Sequence, residues 1–501
     1  MKLSEYVTHD AVGLAGLVAR GEVTAAELEA VALDAVAAVN PLINAVVETW
    51  PAEGGEGADG AGGADRAAAG PAPLAGVPFL IKDVGVTMAG KRSELGSRLA
   101  RGMVARDDSS LMRRFRAAGL ATFGRTATPE FAYGITTEPV LYGPTRNPWD
   151  LGRSAGGSSG GAAAAVAAGI VPIAHGTDAA GSIRIPAAGT GLFGLKPTRG
   201  RVSMGPDADE IFNGLAVQSC VSRTVRDSAA LLDRMRGPES GDPYSAAEPD
   251  RAYAEEVTRA PGRLRVGVVT AAGGGRGTAG PVAAALSRTA ELLTSLGHDV
   301  SEATLDLGVS WEEYVLANAR LWTANLVPWL DGLAAALGRT VDPGTVQAET
   351  LAGYSFGRRV TGPDLVRALG VRNTVARSVG RHFLRYDVLL GPTLPELPPR
   401  LGEWAEGVED LDGPGWIDRI FDRSPFTAVH NVAGTPAMSV PLESDPATGL
   451  PVGMQFAAGH GREDTLFRLA GQLERAAPWA HRVPGVWAGS VPPGPGRAAP
   501  G

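Results

Sequence analysis

The chain has 501 residues, 44% of them hydrophobic and 20% charged, which supplies a large core and argues against a disordered chain. A net charge of −8, from 46 basic and 54 acidic residues, argues against nucleic acid or an anionic membrane as the main partner. The single cysteine, Cys220, excludes an intramolecular disulfide and any multi-cysteine metal site. The N-terminal residues lack a signal-like apolar stretch, and no run approaches the length of a membrane span, so a cytoplasmic protein is the expectation.

In chain order, residues 10–38 read as two helices, "DAVGLAGLVARG" and "TAAELEAVALDAVAAV", with Thr24 as N-cap and Glu27 three residues on. Residues 52–73 are Gly/Ala-rich and predict a flexible surface connection. "GVPFLIKDVGV" (76–86) is a short apolar run between turn residues, which predicts a buried strand. A helix over 109–120 and a strand "ATFG" follow. A loop-rich span (125–151) then leads into "GRSAGGSSGGAAAAVAAG" (152–169). Next come a helix over 160–168, a strand over 170–174 and a second Gly/Ser turn, "HGTDAAGSIRIP" (175–186). Strands are expected again at 263–270, 387–393 and 436–442, with helices at 281–297 and 462–476. The span from about 305 to 383 reads as mostly helical and aromatic-bearing, either core packing or the wall of a pocket. Residues 486–501 read as a disordered tail. Strands alternating with helices argue for an α/β layered fold.

The glycine-serine loop admits three chemistries. A phosphate-binding loop needs G-x-x-x-x-G-K-[ST], and no lysine lies between 92 and 195. A nucleophile elbow, G-x-S-x-G, fits around Ser154 or Ser159. It must cap a buried strand, however, and two prolines in the preceding "YGPTRNPWDL" argue against one. The third reading joins the loop to a lysine. Only four lysines occur, Lys2, Lys82, Lys91 and Lys196, and a lysine can give up its proton where an arginine cannot. Lys82 in "FLIKD" sits on the apolar strand, Ser158 and Ser159 in "GGSSGG", and Ser182 in "GTDAAGSIRIP". A buried neutral lysine can act as the base that a weak serine nucleophile requires. Asp83 could hold Lys82 charged, but adjacent strand side chains point to opposite faces.

These motifs, in this order and followed by "LFGLKPTRGRV", closely resemble the amidase signature family, serine hydrolases with a Ser-Ser-Lys triad. The resemblance runs over roughly residues 10–485. It implies one domain over 1–485, its catalytic motifs within about 74–235. The implied fold is α/β, a large mixed central β-sheet covered by helices on both faces. It further implies Ser182 as nucleophile, Ser158 as a bridging serine in a cis peptide and Lys82 as base. The backbone N–H groups of Ala179, Ala180, Gly181 and Ser182 are the implied oxyanion hole. The family often shows two glycines before the nucleophile, where this chain has Ala180-Gly181; an alanine held at positive φ would be strained. Asp178 and Arg184 would fix the turn by hydrogen bonds, or form an incidental surface ion pair. Ser159 would be a supporting hydroxyl or a helix N-cap. Lys196 matches a position read as structural.

No metal or cofactor is implied. The wording looks most like small-molecule amidases, including the 6-aminohexanoate cyclic dimer hydrolase type, so a small-molecule amide is the expected partner. Two rivals use the same acyl-enzyme: an acyltransferase or amide-forming enzyme, and a glutaminase-type subunit of an amidotransferase. Residues 203–219 do not look like the latter's equivalent stretch. Oligomeric state is not readable, and a homodimer stays open.

Overall fold

The computed structural model describes residues 1–52 and 72–490. Most of the expected flexible connection (53–71) and the end of the expected tail (491–501) lie outside the described residues. Thirteen strands are present among the described residues. In chain order they are β1 (Val46–Thr49), β2 (Pro78–Lys82), β3 (Ala121–Thr126), β4 (Arg146–Asn147), β5 (Asp150–Ser154), β6 (Ile173–Asp178) and β7 (Phe193–Lys196). They continue with β8 (Val217–Ser222), β9 (Arg265–Val268), β10 (Asp299–Glu302), β11 (Val388–Pro392), β12 (Ala437–Ser444) and β13 (Pro451–Ala458).

Eleven of them form one mixed sheet in the order β1-β3-β2-β6-β8-β7-β12-β13-β11-β9-β10; β4 and β5 pair separately. The sheet's parallel parts position the chemistry. β2 runs parallel to both β3 and β6, so Lys82 and Asp178, the last residues of β2 and β6, leave the sheet at the same edge. In α/β sheets that edge, beyond the carboxyl ends of parallel strands, is where ligands bind. β6 then pairs antiparallel with β8, from Ile173 opposite Ser222 to Asp178 opposite Val217.

The helix Gly160–Ala167 lies against the sheet with every residue buried. Its composition, GGAAAAVA, makes that approach feasible. A Cβ on Gly161 would lie 2.4 Å from the Ala127 amide nitrogen, so only glycine fits. At the N-terminus Thr24 caps the helix Ala25–Ile43 with the reciprocal Glu27 contact read from the sequence. The helices Trp311–Leu337, Ala348–Gly357 and Gly362–Arg385 occupy the span expected to be helical. They pack around a second apolar cluster that includes Trp322, Leu326 and Val375.

The chain stays packed beyond 485, where the tail was expected to begin. The Ala488 amide donates to the Ala168 carbonyl at 2.8 Å, and Ala488 is buried. The reason is local: the Trp487 ring fills space that a Cβ on Gly169 would enter, and Arg223 stacks on that ring. Among the described residues no helix is long and apolar enough to cross a membrane.

Candidate active site

Lys82 ends an all-buried strand and is itself wholly buried. Its Nζ lies 2.7 Å from Ser158 Oγ, 2.7 Å from Thr177 Oγ1 and 3.1 Å from Ser159 Oγ. Burial pushes the amine well below its ordinary value, and the Asp178 charge opposes that shift only in part. A neutral amine has two protons and one lone pair, so one of three hydroxyl neighbours must donate to it. Ser159 is committed elsewhere: its Oγ donates to the Thr177 carbonyl at 3.2 Å and accepts the Thr177 N–H at 3.2 Å. In the neutral form the donor to Lys82 is therefore Ser158 or Thr177.

Asp83 points away from this cluster, as strand alternation requires. Its carboxylate accepts from Arg125 Nη1 at 2.7 Å and from the Glu94 and Gly96 amides. The Lys82 amide donates to His175 Nδ1 at 3.2 Å, which leaves the ring proton on Nε2, facing Gln218 Oε1 at 2.9 Å. Burial and the neighbouring Lys82 push His175 down to about 3, so the ring is neutral.

Ser158 follows a cis peptide bond from Gly157. A Cβ on Gly157 would meet the Thr136 carbonyl oxygen at 2.6 Å, so glycine lets two backbones touch beside the serine. Ser159 precedes the helix Gly160–Ala167 but makes no side-chain capping bond, so its hydroxyl serves the lysine cluster and not the helix. The Ser159 amide donates to the Ser182 carbonyl at 3.1 Å, which ties the first Gly/Ser turn to the second.

The second turn is built around Asp178. Its carboxylate accepts from Gly181 N at 2.7 Å and Ile183 N at 3.2 Å, and takes two bonds of 2.9 Å from Arg184. Both side chains are fully buried, so this is no surface ion pair. Burial alone disfavours the Asp178 charge, but the Arg184 guanidinium, Lys196 and the Asn431 hydrogen bond together outweigh it and hold the carboxyl well below the usual range. Arg184 also donates to Gln455, Asn431 and the Thr427 carbonyl. Thr427 Oγ1 in turn donates to the Ala180 carbonyl at 2.6 Å.

The positive φ in this turn, 127°, falls on Gly181, so Ala180 carries no such strain. Gly181 differs from the expected oxyanion set in one respect, because its amide is engaged by Asp178. The amides of Ala179, Ala180 and Ser182 donate to no described residue. Thr177, His175, Thr427, Asn431 and Gln455 are partners that the sequence reading did not name.

Lys196 is buried, with Nζ 2.8 Å from the Pro197 carbonyl; burial and then Arg184 push it well below its ordinary value. Cys220 is buried on β8, and burial pushes its thiol up to about 12, so it is not poised as a nucleophile. Among the described residues no group of three or more His, Cys, Asp or Glu side chains could hold a metal ion.

The Amidase family model matches residues 27–467. The 6-aminohexanoate-cyclic-dimer hydrolase of Paenarthrobacter ureafaciens is 38% identical over 486 residues, 95% of this chain and 96% of the relative. An acylamidase of Rhodococcus erythropolis is 35% identical over 474 residues, 95% of this chain and 96% of the relative. The solved structure of a 6-aminohexanoate cyclic dimer hydrolase complexed with substrate superposes with a TM-score of 0.87 at 36% identity, covering 96% of this chain and 99% of that one. A match spanning most of the chain, together with relatives of this identity, places the protein in the Amidase family, the hydrolases of carbon–nitrogen amide bonds.

Proposed function

We propose that Ser182 attacks the carbonyl of a small linear or cyclic amide, and that Ser158 and Lys82 carry its proton. The observation that carries this reading is the 2.7 Å contact between Ser158 and a lysine whose burial lowers its proton affinity, in a loop tied to Ser182 by a backbone bond. The Ser182 hydroxyl proton passes to Ser158 as the Ser158 proton passes to Lys82 Nζ. The Ser182 Oγ–carbon bond forms, and the carbonyl oxygen takes up negative charge.

The free amides of Ala179, Ala180 and Ser182 meet that charge, while Gly181 and Asp178 hold the turn. Collapse breaks the carbon–nitrogen bond, and the leaving nitrogen takes the proton back through the same relay. Water then attacks the acyl-enzyme by the same route, releasing the acid and restoring Ser182. The Ser159 and Thr177 hydroxyls aim the lysine. Relatives named for a cyclic amide dimer and for acylamides support small amides as the substrate class.

The test is a panel of the 6-aminohexanoate cyclic dimer, linear alkyl amides, anilides and glutamine, run with hydroxylamine to trap the acyl group. Hydroxamate should form from small amides and be lost in Ser182→Ala and Ser158→Ala. Ammonia release from glutamine alone, or activity that survives Ser182→Ala, contradicts the proposal.

A further inference from the structure

A cavity of about 700 Å³ lies behind the segment that backs the catalytic loop. Tyr133, Gly134 and Thr136 line it, and the Thr136 carbonyl is the group that presses on Gly157 beside Ser158. The opposite wall is the helix Ala348–Gly357.

Its lining combines aromatic faces with carboxylates. Tyr133, Trp404 and Trp416 stand side by side, with ring centres 5.1 Å apart for the two tryptophans and 6.3 Å apart for Tyr133 and Trp416. Glu138 accepts the Gly402 N–H at 2.8 Å through Oε2, while Oε1 is buried with no partner among the described residues. Glu349 accepts from Gln347 Nε2 and lies close enough to Tyr133 for its charge to disfavour tyrosinate.

Tyr133 itself is 1% exposed, and its hydroxyl has no hydrogen-bond partner among the described residues. It faces the cavity's helical wall, where a Cβ on Gly353 would lie 2.9 Å from it. Arg98, the one cation in the described lining beside the carboxylates of Glu138, Glu349 and Glu409, directs its Nη2 to the Pro343 and Val346 carbonyls, and its Nε is buried without a partner among the described residues. Buried polar atoms without partners are rare in folded proteins, and two oxygens of this kind, Glu138 Oε1 and the Tyr133 hydroxyl, belong to residues lining one cavity. An ammonium group supplies donors for Glu138 Oε1 and the tyrosine oxygen, a counter-charge for Glu349 and a cation for the aromatic faces.

We infer that this cavity binds the ammonium end of an amine-bearing small molecule, with Glu138 and Glu349 as its counter-charges and Tyr133, Trp404 and Trp416 as its walls. As a determinant of substrate choice the site rests on the proposed reading of the neighbouring centre, since it would hold the far end of an ω-amino amide. As a binding site it does not.

Calorimetric titration of the whole protein with hexylammonium and with 1-hexanol tests the binding. It is run at pH 8.5, above the value of about 7 to which burial pushes Glu349. Hexylammonium should bind at least tenfold more tightly than the alcohol. Glu138→Gln and Glu349→Gln should each remove most of that difference. Equal binding of both compounds, binding of neither, or unchanged hexylammonium affinity in both variants overturns the inference.

The kinetic arm compares 6-aminohexanoyl and heptanoyl p-nitroanilides, which exchange an ammonium for a methyl group. Wild type should favour the first in kcat/KM, and either glutamine variant should cut that preference while sparing the heptanoyl substrate. A wild-type ratio near one overturns the role in substrate choice. A wrong nucleophile assignment shows differently: Ser182→Ala would then hydrolyse both anilides, with the calorimetry untouched.

Discussion

Asp178→Asn keeps the shape of a side chain while removing its charge and turning one acceptor into a donor. In the native fold that carboxylate accepts from the Gly181 and Ile183 amides, from Arg184 Nε and Nη2, and from Asn431 Nδ2. The variant sets an NH₂ group against these donors and strips the fully buried Arg184 of its counter-charge. Breaking a buried pair from one side costs about 3–5 kcal/mol, against a total stability of about 5–15 kcal/mol for a native protein.

Urea unfolding at pH 8 should therefore show a loss of at least about 3 kcal/mol from a chain that still folds. A loss below about 1 kcal/mol would mean that Gln455, Asn431 and the Thr427 carbonyl satisfy Arg184 by themselves, and the reasoning fails. The pH profile gives an independent readout. Asp178 opposes the downward shift of Lys82, so its neutralisation lowers the lysine further. The acid limb of kcat/KM should move to lower pH; movement to higher pH refutes the electrostatic account.

Lys82→Met should cut hydrolysis by about 10²–10⁴, the usual scale of a general base, yet leave the urea midpoint nearly unchanged because a buried amine is replaced by an apolar chain. Activity within tenfold of wild type would remove Lys82 from the mechanism. Gly181→Ala places a Cβ 2.5 Å from Thr427 Oγ1 at a φ of 127°, so both activity and thermal stability should fall sharply, whereas Ala180→Gly should cost about 1 kcal/mol or less. Equal effects of the two would contradict the turn geometry. His175 is held down to about 3, against about 6.5 in an unfolded chain. The unfolded chain alone takes up that proton as pH falls through this window, so the stability His175 contributes above about pH 6.5 is lost toward pH 3, at up to about 1.4 kcal/mol per pH unit. Urea titrations from pH 7 to 4.5 should show a shallower slope in His175→Gln, and parallel slopes would refute the linkage.

The fold class, and the approach of Lys82 to the first Gly/Ser turn, were legible because their signals are local. Lys82 stood out as a lysine on an apolar strand in a chain with almost none, and its alternation against Asp83 followed from strand geometry. The Thr24 cap and the helices over 311–385 follow equally local patterns. What escaped is non-local. Asn431 and Gln455 reach Arg184 from 247 and 271 positions away, with nothing in their own neighbourhoods to mark them. β8 carries buried Gln218, Ser219 and Ser222, so its polar composition hides a central strand. The expected loop before residue 152 contains β4 and leads into β5. These form a two-stranded, partly exposed hairpin and not the buried strand a nucleophile elbow needs. The tail was expected from residue 486, but tertiary packing of Trp487 holds the chain as far as Ser490, ahead of the Gly/Pro-rich run.

The central claim is that Ser182 is the nucleophile and that Lys82 activates it through Ser158. Peptide mapping by mass spectrometry after treatment with a small fluorophosphonate, on wild type and on Lys82→Met, tests it most directly. Labelling confined to Ser182 and sharply reduced in the variant is the predicted result. Labelling at Ser154 or Ser159, or at Ser182 undiminished without the lysine, would contradict it.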